Sequence, residues 1–587
     1  MESRPVQRLF RILSALALLG FATQALAADY KAVTDERLRN PEPENWLSWR
    51  GNYEGWGHSP LKQITDANVA ELIPVWSFST GVNEGHQAPP IVNNGMMFVS
   101  TPENQIIALD AATGVEIWRY KRELPEDLFQ LHPTNRGVAL YGDKVYMATL
   151  DACVVALDAK TGKEAWDTCI GDYTDGYYST LSILAAEGKV VTGVSGGEFG
   201  IRGYVVALDA ETGKEAWKTY TVPAPGEPGS ETWQGDAWKT GGAPVWMQGN
   251  YDAETGILYV GTGNGGPWMP DTRPGDNLYA TSVVALDMDD GSIDGHFQYH
   301  WNDAWDWDEV SAPLLVPIER DGKVKKGLVH AGRNGYLWLM ERTEKGPINF
   351  IDAKPFVEQN VFTSIDPKTG RPSYDKARTP GTNKTVTFCP SIWGGKDWPP
   401  EAYNPDTGLL YIPAHENLCA EMGGVPMEER EAGELWIGVP IDTILSSMRF
   451  NEKVDPSKPV PIGQIQAWDL NKGEMVWEHS FNDSINWGPL LSTGGNLLFA
   501  GGTNDRKFRA FNAKTGDVLW QHPMPSGVTG VPSSFEVDGT QYIAVQSGWG
   551  VDSERMRGLL EKMLPKGRVP PMPQGGTIHV FALKSAN

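Results

Sequence analysis

Short apolar runs, each closed by an aspartate, recur along the chain with a polar turn and a tryptophan behind them. The pattern reads Ala108-Leu-Asp-Ala-Ala-Thr-Gly-Val-Glu-Ile-Trp118, then Ala156-Leu-Asp-Ala-Lys-Thr-Gly-Lys-Glu-Ala-Trp166 and Ala207-Leu-Asp-Ala-Glu-Thr-Gly-Lys-Glu-Ala-Trp217. Degenerate copies stand at Ala285-Leu-Asp, at Ala467-Trp-Asp with Gly473 and Trp477, and at Ala510-Phe-Asn with Gly516 and Trp520. The apolar run predicts a strand, Thr-Gly a tight turn, and the run ending in Trp a second strand, so each unit is a β-hairpin. Tryptophans step by 48, 51 and 43 residues in the clearest pairs. One such hairpin in every ~40–50 residues is the outer half of a four-stranded blade, and the repeat predicts an all-β chain folded as a β-propeller. At about 48 residues per unit plus insertions, eight blades fit better than six or seven. Ile73-Pro-Val-Trp76 and Thr577-Ile-His-Val-Phe-Ala-Leu583 are expected to share one blade and close the ring. A linear β-solenoid is the competing arrangement of the same repeats. The recurrent tryptophans are read as packing between blades.

The N-terminus follows a different pattern. Arg4, Arg8 and Arg11 precede an apolar run over 12–22, and Ala25-Leu26-Ala27 has the small-x-small form of a signal peptidase site. That run is shorter than the roughly 20 residues a spanning helix needs. Residues 1–27 are therefore expected to be a signal peptide, and 28–587 one exported, soluble propeller domain without a membrane span. Hydrophobic residues at 40% and charged residues at 21% exclude a disordered chain, and 65 Gly with 42 Pro suit many short strands and turns. A net charge of −24 argues against nucleic acid as a partner. Four cysteines in an exported chain invite two disulfides in any of three connectivities, and none forms C-x-x-C-H, so no haem is attached covalently.

Candidate chemistry sits between the repeats. Gly193-Val-Ser-Gly-Gly-Glu198-Phe-Gly-Ile-Arg-Gly203 places one acid in a glycine-rich stretch that lets backbone approach a planar ligand. In Trp305-Asp306-Trp307-Asp308, alternate residues of an extended chain point to one face, so both carboxylates converge, and burying them unpaired would be costly. Trp246, in Gly241-Gly-Ala-Pro-Val-Trp246, lies outside the Asp…Gly…Trp register and offers a flat face for stacking. Asn264, in Gly261-Thr-Gly-Asn264, offers a neutral oxygen of the kind hard cations accept beside carboxylates.

The Ala-x-Asp-x-x-Thr-Gly-x-x-x-Trp repeat, over essentially the whole chain after the signal peptide, resembles the tryptophan-docking motif of quinoprotein alcohol dehydrogenases. These enzymes bind pyrroloquinoline quinone (PQQ) and a metal at the centre of an eight-bladed propeller. The resemblance implies a metal held by Glu198, Asn264, Asp306 and Asp308. The additional carboxylate, Asp308, is similar to that of lanthanide-dependent members, so a lanthanide is favoured over calcium. It implies PQQ bound by Arg136, Thr180, Ser195, Gly196, Gly197, Trp246, Arg333, Asp397 and Trp487, with Asp306 and Arg333 catalytic. Asp306 would take the hydroxyl proton of an alcohol, and Arg333, a permanently cationic fork, would stabilise charge developing on the quinone. Cys389 and Cys419 match a disulfide of the family, while Cys153 and Cys169 flank the Thr161-Gly162 turn almost symmetrically and leave a cross-strand bond open.

Two departures stand out. Gln130 and Leu131 occupy positions where the family has adjacent cysteines forming a ring over PQQ, and Asp397 stands where relatives often have Asn. The first, with the insertion between Ala420 and Pro461, implies an altered substrate mouth and a bulky or secondary alcohol. The expected electron acceptor is a separate periplasmic cytochrome c, and a homodimer is left open. Two alternatives compete. A non-catalytic scaffold propeller predicts loss of the Glu198, Asn264, Asp306 and Arg333 set, which is complete. A propeller glycoside hydrolase using Glu198 and Asp306 as its acid pair gives Trp246, Asn264 and Arg333 no role.

Overall fold

A computed structural model describes residues 30–584 other than residue 321; the expected signal peptide lies outside the described residues. Among these residues, eight sheets of four or five strands follow one another along the chain, antiparallel throughout except where His58–Ser59 adds parallel to Leu491–Thr493. One is the meander Ile91–Asn93, Met96–Thr101, Gln105–Asp110 and Glu116–Lys121. Its middle strands are buried on both faces, whereas the outermost one alternates exposed and half-buried residues. Strands packed between two neighbouring sheets have no wet face, which is why their sequence reads as unbroken apolar runs.

The repeat motif is a docking device. At the hairpin turn, Asp110 accepts hydrogen bonds from the backbone of Ala112 (3.2 Å) and Thr113 (2.9 Å) and from the Thr113 hydroxyl (2.7 Å). Gly114 closes the turn at φ 72°, a conformation that favours glycine, and a Cβ there would strike the Trp76 ring at 2.6 Å. Trp76 belongs to the neighbouring sheet and donates its indole N–H to Ala111 at 3.2 Å. The same bond links Trp118 to Ala159, Trp166 to Ala210, Trp217 to Met288, Trp477 to Ala513 and Trp520 to Leu72. The expected role of these tryptophans in packing between sheets is thus observed.

Strand Leu72–Ser79 pairs antiparallel with Thr577–Leu583, so the first long strand and the last strand share one sheet, as expected. A propeller results, and no linear solenoid. Two smaller sheets stand apart from the eight: Phe362–Ile365 with Pro372–Tyr374, and Val386–Phe388 with Leu418–Met422 and Met448–Phe450. Together with helix Val551–Met563 they pack on the loops that carry the candidate site, in one apolar cluster with Trp305, Trp307, Trp393 and Trp398. No helix among the described residues is long and apolar enough to cross a membrane.

Candidate active site

One cavity gathers Arg136, Thr180, Ser195, Gly196, Glu198, Trp246, Asp306, Asp308, Arg333 and Asp397 on its wall. These residues come from loops spread over more than 250 positions of sequence, and the sheets bring their ends together. Gly197 and Asn264 lie directly behind that wall. A Cβ on Gly197 would meet Pro244 at 3.0 Å, and the Asn264 backbone N–H donates to Asp308 Oδ1 at 2.6 Å. A Cβ on Gly263 would collide with that same oxygen, so glycine there is what admits the carboxylate. Trp487 is buried elsewhere: it stacks on His415 with centroids 5.7 Å apart, and Trp398 occupies the cavity wall instead.

Asp306 sits in a strained turn. Its φ is 61°, in the left-handed region that a Cβ-bearing residue seldom adopts, and such strain persists only where surrounding structure over-determines it. Trp305 and Trp307 stack on each other at 5.0 Å, and their indole N–H groups donate to Arg378 and Ser391. Both flanking side chains are thereby locked, and Asp306 between them faces the cavity. Arg333 spans the same edge: its Nη1 donates to the Asp306 carbonyl at 3.0 Å, and its Nη2 lies 2.8 Å from Asp397 and 3.6 Å from Asp308.

The opposite end is cationic and hydroxylic. Arg136 donates through Nη1 to Thr180 Oγ1 at 2.6 Å, and Thr180 lies 3.1 Å from the Ser195 hydroxyl. The Arg136 guanidinium rests 4.8 Å from the Trp246 ring centroid and 5.0 Å from that of Trp398. Its Nε has no partner, and neither does that of Arg333. Two buried guanidinium groups with spare donors, 4.8 and 5.8 Å from the same Trp246 ring centroid, suit a flat ligand bearing several anionic oxygens.

Electrostatics at the Asp306 end call for a cation. Burial raises Glu198 to about 7, with Asp308 adding to the effect, and raises Asp308 to about 6. Burial, then the neighbouring Asp308, holds Asp306 well above the ordinary carboxylate range. Burial also raises Asp397, against the pull of Arg333. Burial works against the charge of Arg333, and its carboxylate neighbours more than offset this. Burial lowers Arg136 to about 10. Four carboxylates around one guanidinium leave net negative charge, and an all-oxygen donor set suits a hard cation such as calcium or a lanthanide. The Asn264 amide is satisfied with its nitrogen 3.2 Å from Asp308 Oδ1 and its oxygen taking the Trp268 indole N–H at 2.8 Å; the opposite rotation turns its oxygen toward Asp308.

Above the cavity the departures noted in the sequence take form. Leu131 and His132 occupy the roof, joined by Asp552 and Arg555 of the helix Val551–Met563. Leu435, Ile437, Ile441, Ile444 and Leu445 of the insertion supply an apolar side. The insertion is anchored to the Glu198 loop: Trp436 N–H donates to the Glu198 carbonyl at 2.7 Å, and Arg430 donates to the Phe199 carbonyl at 2.8 Å. Sequence reading missed the individual mouth residues and Asp552 and Arg555, because neither segment carries a repeat or motif. Both disulfides are formed, Cys153–Cys169 across paired strands and Cys389–Cys419 beside the site.

Comparison with known proteins agrees with this architecture. The family described as "PQQ: Glucose/ethanol/alcohol dehydrogenase, beta-propeller domain" matches residues 46–372 and 363–543. The chain is 37% identical to the quinoprotein alcohol dehydrogenase PedH of Pseudomonas putida, over 99% of this chain and 97% of that protein. It is 36% identical to a quinohemoprotein alcohol dehydrogenase of Comamonas testosteroni, over 92% of this chain and 77% of that protein. A solved europium-containing methanol dehydrogenase superposes with a TM-score of 0.85 at 33% identity, covering 94% of this chain and all of that one.

Proposed function

This chain belongs to the family of PQQ-dependent alcohol dehydrogenases, and from that premise we propose that its described cavity oxidises a bulky or secondary alcohol to an aldehyde or ketone. The observation that carries the reading is the convergence of Glu198, Asp306, Asp308 and Asp397 around Arg333, on one cavity with Trp246 and the Arg136 guanidinium, whose Nε has no partner among the described residues. Glu198, Asn264, Asp306 and Asp308 would hold the metal, and a site with this many anionic oxygens favours a lanthanide over calcium. Arg136, Thr180, Ser195, Gly196, Gly197, Trp246, Arg333 and Asp397 would hold PQQ; Trp487, named with them from the sequence, is not among the residues lining the cavity. When bound, PQQ supplies a two-electron acceptor and the cation a Lewis acid.

The chain's own residues do the rest. Asp306, fixed between locked tryptophans, accepts the hydroxyl proton at its carboxylate; its efficacy comes from position. Arg333 holds positive charge where negative charge develops. Trp246 supplies a flat floor, and the Arg136–Thr180–Ser195 group supplies donors to anionic oxygens. Leu131 and the isoleucines of the insertion shape an apolar mouth without a cysteine ring, which favours a substrate larger than methanol.

We read the eight linked sheets as eight blades of one closed ring spanning 28–587. Residues 1–27 would direct export to the periplasm, where two disulfides persist. All four cysteines are in disulfides, so a separate cytochrome c would take the electrons. Reconstitution tests the reading: metal-free protein is given PQQ with La³⁺ or Ca²⁺, and dye reduction is followed with methanol and with bulky secondary alcohols. Activity that needs PQQ, is higher with La³⁺ and is highest by kcat/KM on bulky alcohols is expected. Absence of PQQ binding under either metal overturns it.

A further inference from the structure

Behind the cavity wall lies a buried polar chain that no part of the mechanism above uses. Asp303 is fully buried, and its carboxylate accepts backbone N–H groups from Asp306 (3.1 Å), Trp305 (3.3 Å) and Trp307 (3.4 Å). His300 Nε2 lies 3.0 Å from Asp303 Oδ1, and its Nδ1 lies 3.5 Å from Glu309 Oε1. Glu309, also fully buried, accepts the backbone N–H of Arg333 at 3.1 Å, that of Asn334 at 3.3 Å and the Asn334 amide at 2.7 Å. His330 completes its shell, with Nε2 2.6 Å from Oε2. Gly332 is part of the device, because a Cβ there would lie 2.8 Å from Glu309 Oε2.

Asp306 and Arg333 therefore hang, each by its own backbone amide, from the two ends of one chain: Asp303, His300, Glu309. A buried carboxylate is costly unless its oxygens are filled with donors, and every backbone donor counted here lies on the two turns that bear the reacting residues, with the Asn334 amide, His300 and His330 filling the rest. Asp306 holds a left-handed backbone, and this shell acts on it together with the locked Trp305 and Trp307 rings. We propose that Asp303, His300 and Glu309 act as positioning residues that set the Asp306 carboxylate against the Arg333 guanidinium. The inference rests on the alcohol dehydrogenase reading only for its kinetic test.

Two variants separate positioning from mere stability. Glu309→Gln replaces an acceptor with a donor against amide N–H groups, whereas His300→Gln keeps a donor for Asp303 and loses reach toward Glu309. Per bound PQQ, measured by its absorbance, kcat is expected to fall about 100-fold in E309Q and about 10-fold in H300Q, with KM within about twofold. The double variant is expected to be no slower than E309Q, since residues acting as one unit are not additive. Wild-type kcat per bound PQQ in H300Q, or losses that multiply in the double variant, would overturn the proposal. If E309Q fails to fold, H300Q alone decides. A crystal structure of metal-free H300Q gives a readout independent of turnover: the Asp306 backbone is expected to leave the left-handed region, and its retention there counts against positioning. If wild type binds no PQQ, the enzymatic reading fails and the crystallographic outcome still decides this one.

Discussion

Asp308 Oδ1 accepts the backbone N–H of Asn264 at 2.6 Å, so the two residues proposed to ligate one metal are already tied together through protein atoms. That bond fixes one oxygen of Asp308 and leaves Oδ2 facing Arg333 and the cavity. Removing the carboxylate subtracts one anionic ligand while the Asn264 loop keeps its other backbone contact, the Ala243 N–H donating to the Asn264 carbonyl at 2.8 Å. Asp308→Ala is expected to weaken La³⁺ binding by about 10- to 100-fold while calcium-supported activity is kept. Terbium luminescence sensitised by Trp305 and Trp307, titrated on both proteins, checks the affinity. Equal affinity in the two would remove Asp308 from the ligand set.

Proton linkage at the same carboxylates has a definite sign. Burial raises Glu198 to about 7 from an ordinary 4.5, so the folded, metal-free protein keeps a proton that the unfolded chain releases. Stability from this group is present below pH 4.5 and is lost as pH climbs through about 7, amounting to about 3 kcal/mol. Asp308, raised to about 6, acts in the same direction over a lower window. The Tm of metal-free wild type is expected to fall relative to Glu198→Gln between pH 4.5 and 7.5. A bound cation replaces the protons, so loaded wild type should lose that decline. Calorimetry on the four combinations reads the effect directly, and a rising difference would reverse the assignment.

Arg136 is a cation buried without an ion-pair partner, which burial brings down to about 10. Such a group costs stability in the empty protein and is retained for what it binds. Arg136→Met keeps the length and removes the charge. Metal-free, PQQ-free protein is expected to melt at the same temperature or a few degrees higher, while PQQ affinity drops by at least about 100-fold, as loss of a charge-assisted contact of ~3 kcal/mol implies. Scanning fluorimetry and equilibrium dialysis measure the two halves independently. A lower Tm with unchanged PQQ affinity would make Arg136 a structural residue.

The docking repeat was legible because turn chemistry admits few residues: Asp to accept three donors, Gly at φ 72°, and Trp to cover it. Glu198, Asp306 and Asp308 stood out because each sits in a short segment of unusual composition, whereas Arg333 was named by the family resemblance alone; all four line the one cavity. The roof did not stand out. Asp552 and Arg555 belong to an ordinary amphipathic helix, and only the tertiary fold brings them to one cavity with Arg136 and Leu131. His300 and Glu309 were invisible for a related reason: both lie in the irregular stretch between strands Ile293–Gln298 and Leu314–Arg320, and what they touch is set by how that loop folds, which no local spacing encodes. Trp487 shows the converse, since a motif match identified its loop while packing against His415 turned its ring off the cavity wall.

The mouth offers a test of substrate size. Leu131 lines the same cavity as the apolar group from 435 to 445. Leu131→Trp fills that space without touching the carboxylates or Arg333. Discrimination between a bulky secondary alcohol and ethanol is expected to shift toward ethanol by about 10- to 200-fold in kcat/KM, the range one group in an apolar pocket commands. Steady-state kinetics with the two alcohols give the ratio. An unchanged ratio means that substrate enters by another face.

The two disulfides should separate stability from function. Cys153–Cys169 closes a span of 16 residues and Cys389–Cys419 one of 30, and chain entropy assigns each about 3–4 kcal/mol, too close to distinguish them by melting. Their surroundings differ. Cys153 and Cys169 face each other on strands already paired through Thr168 and Val154, and neither lines the cavity. Cys389 opens the segment that carries Ile392, Trp393, Asp397 and Trp398 to the cavity, and its partner Cys419 lies in the strand leading to the mouth insertion. The neighbouring Ser391 carbonyl also receives the Trp307 indole N–H, so slack there reaches the Asp306 turn. The Cys389→Ser/Cys419→Ser variant is expected to lose similar Tm to Cys153→Ser/Cys169→Ser but to drop kcat by about 10-fold or more, because a small misplacement of positioning groups is costly to rate. The Cys153/Cys169 variant should keep wild-type kcat below its own melting transition. Equal kcat in both variants, measured per bound PQQ, would show that the site is held by packing around Trp307 and Trp398 without the covalent tie.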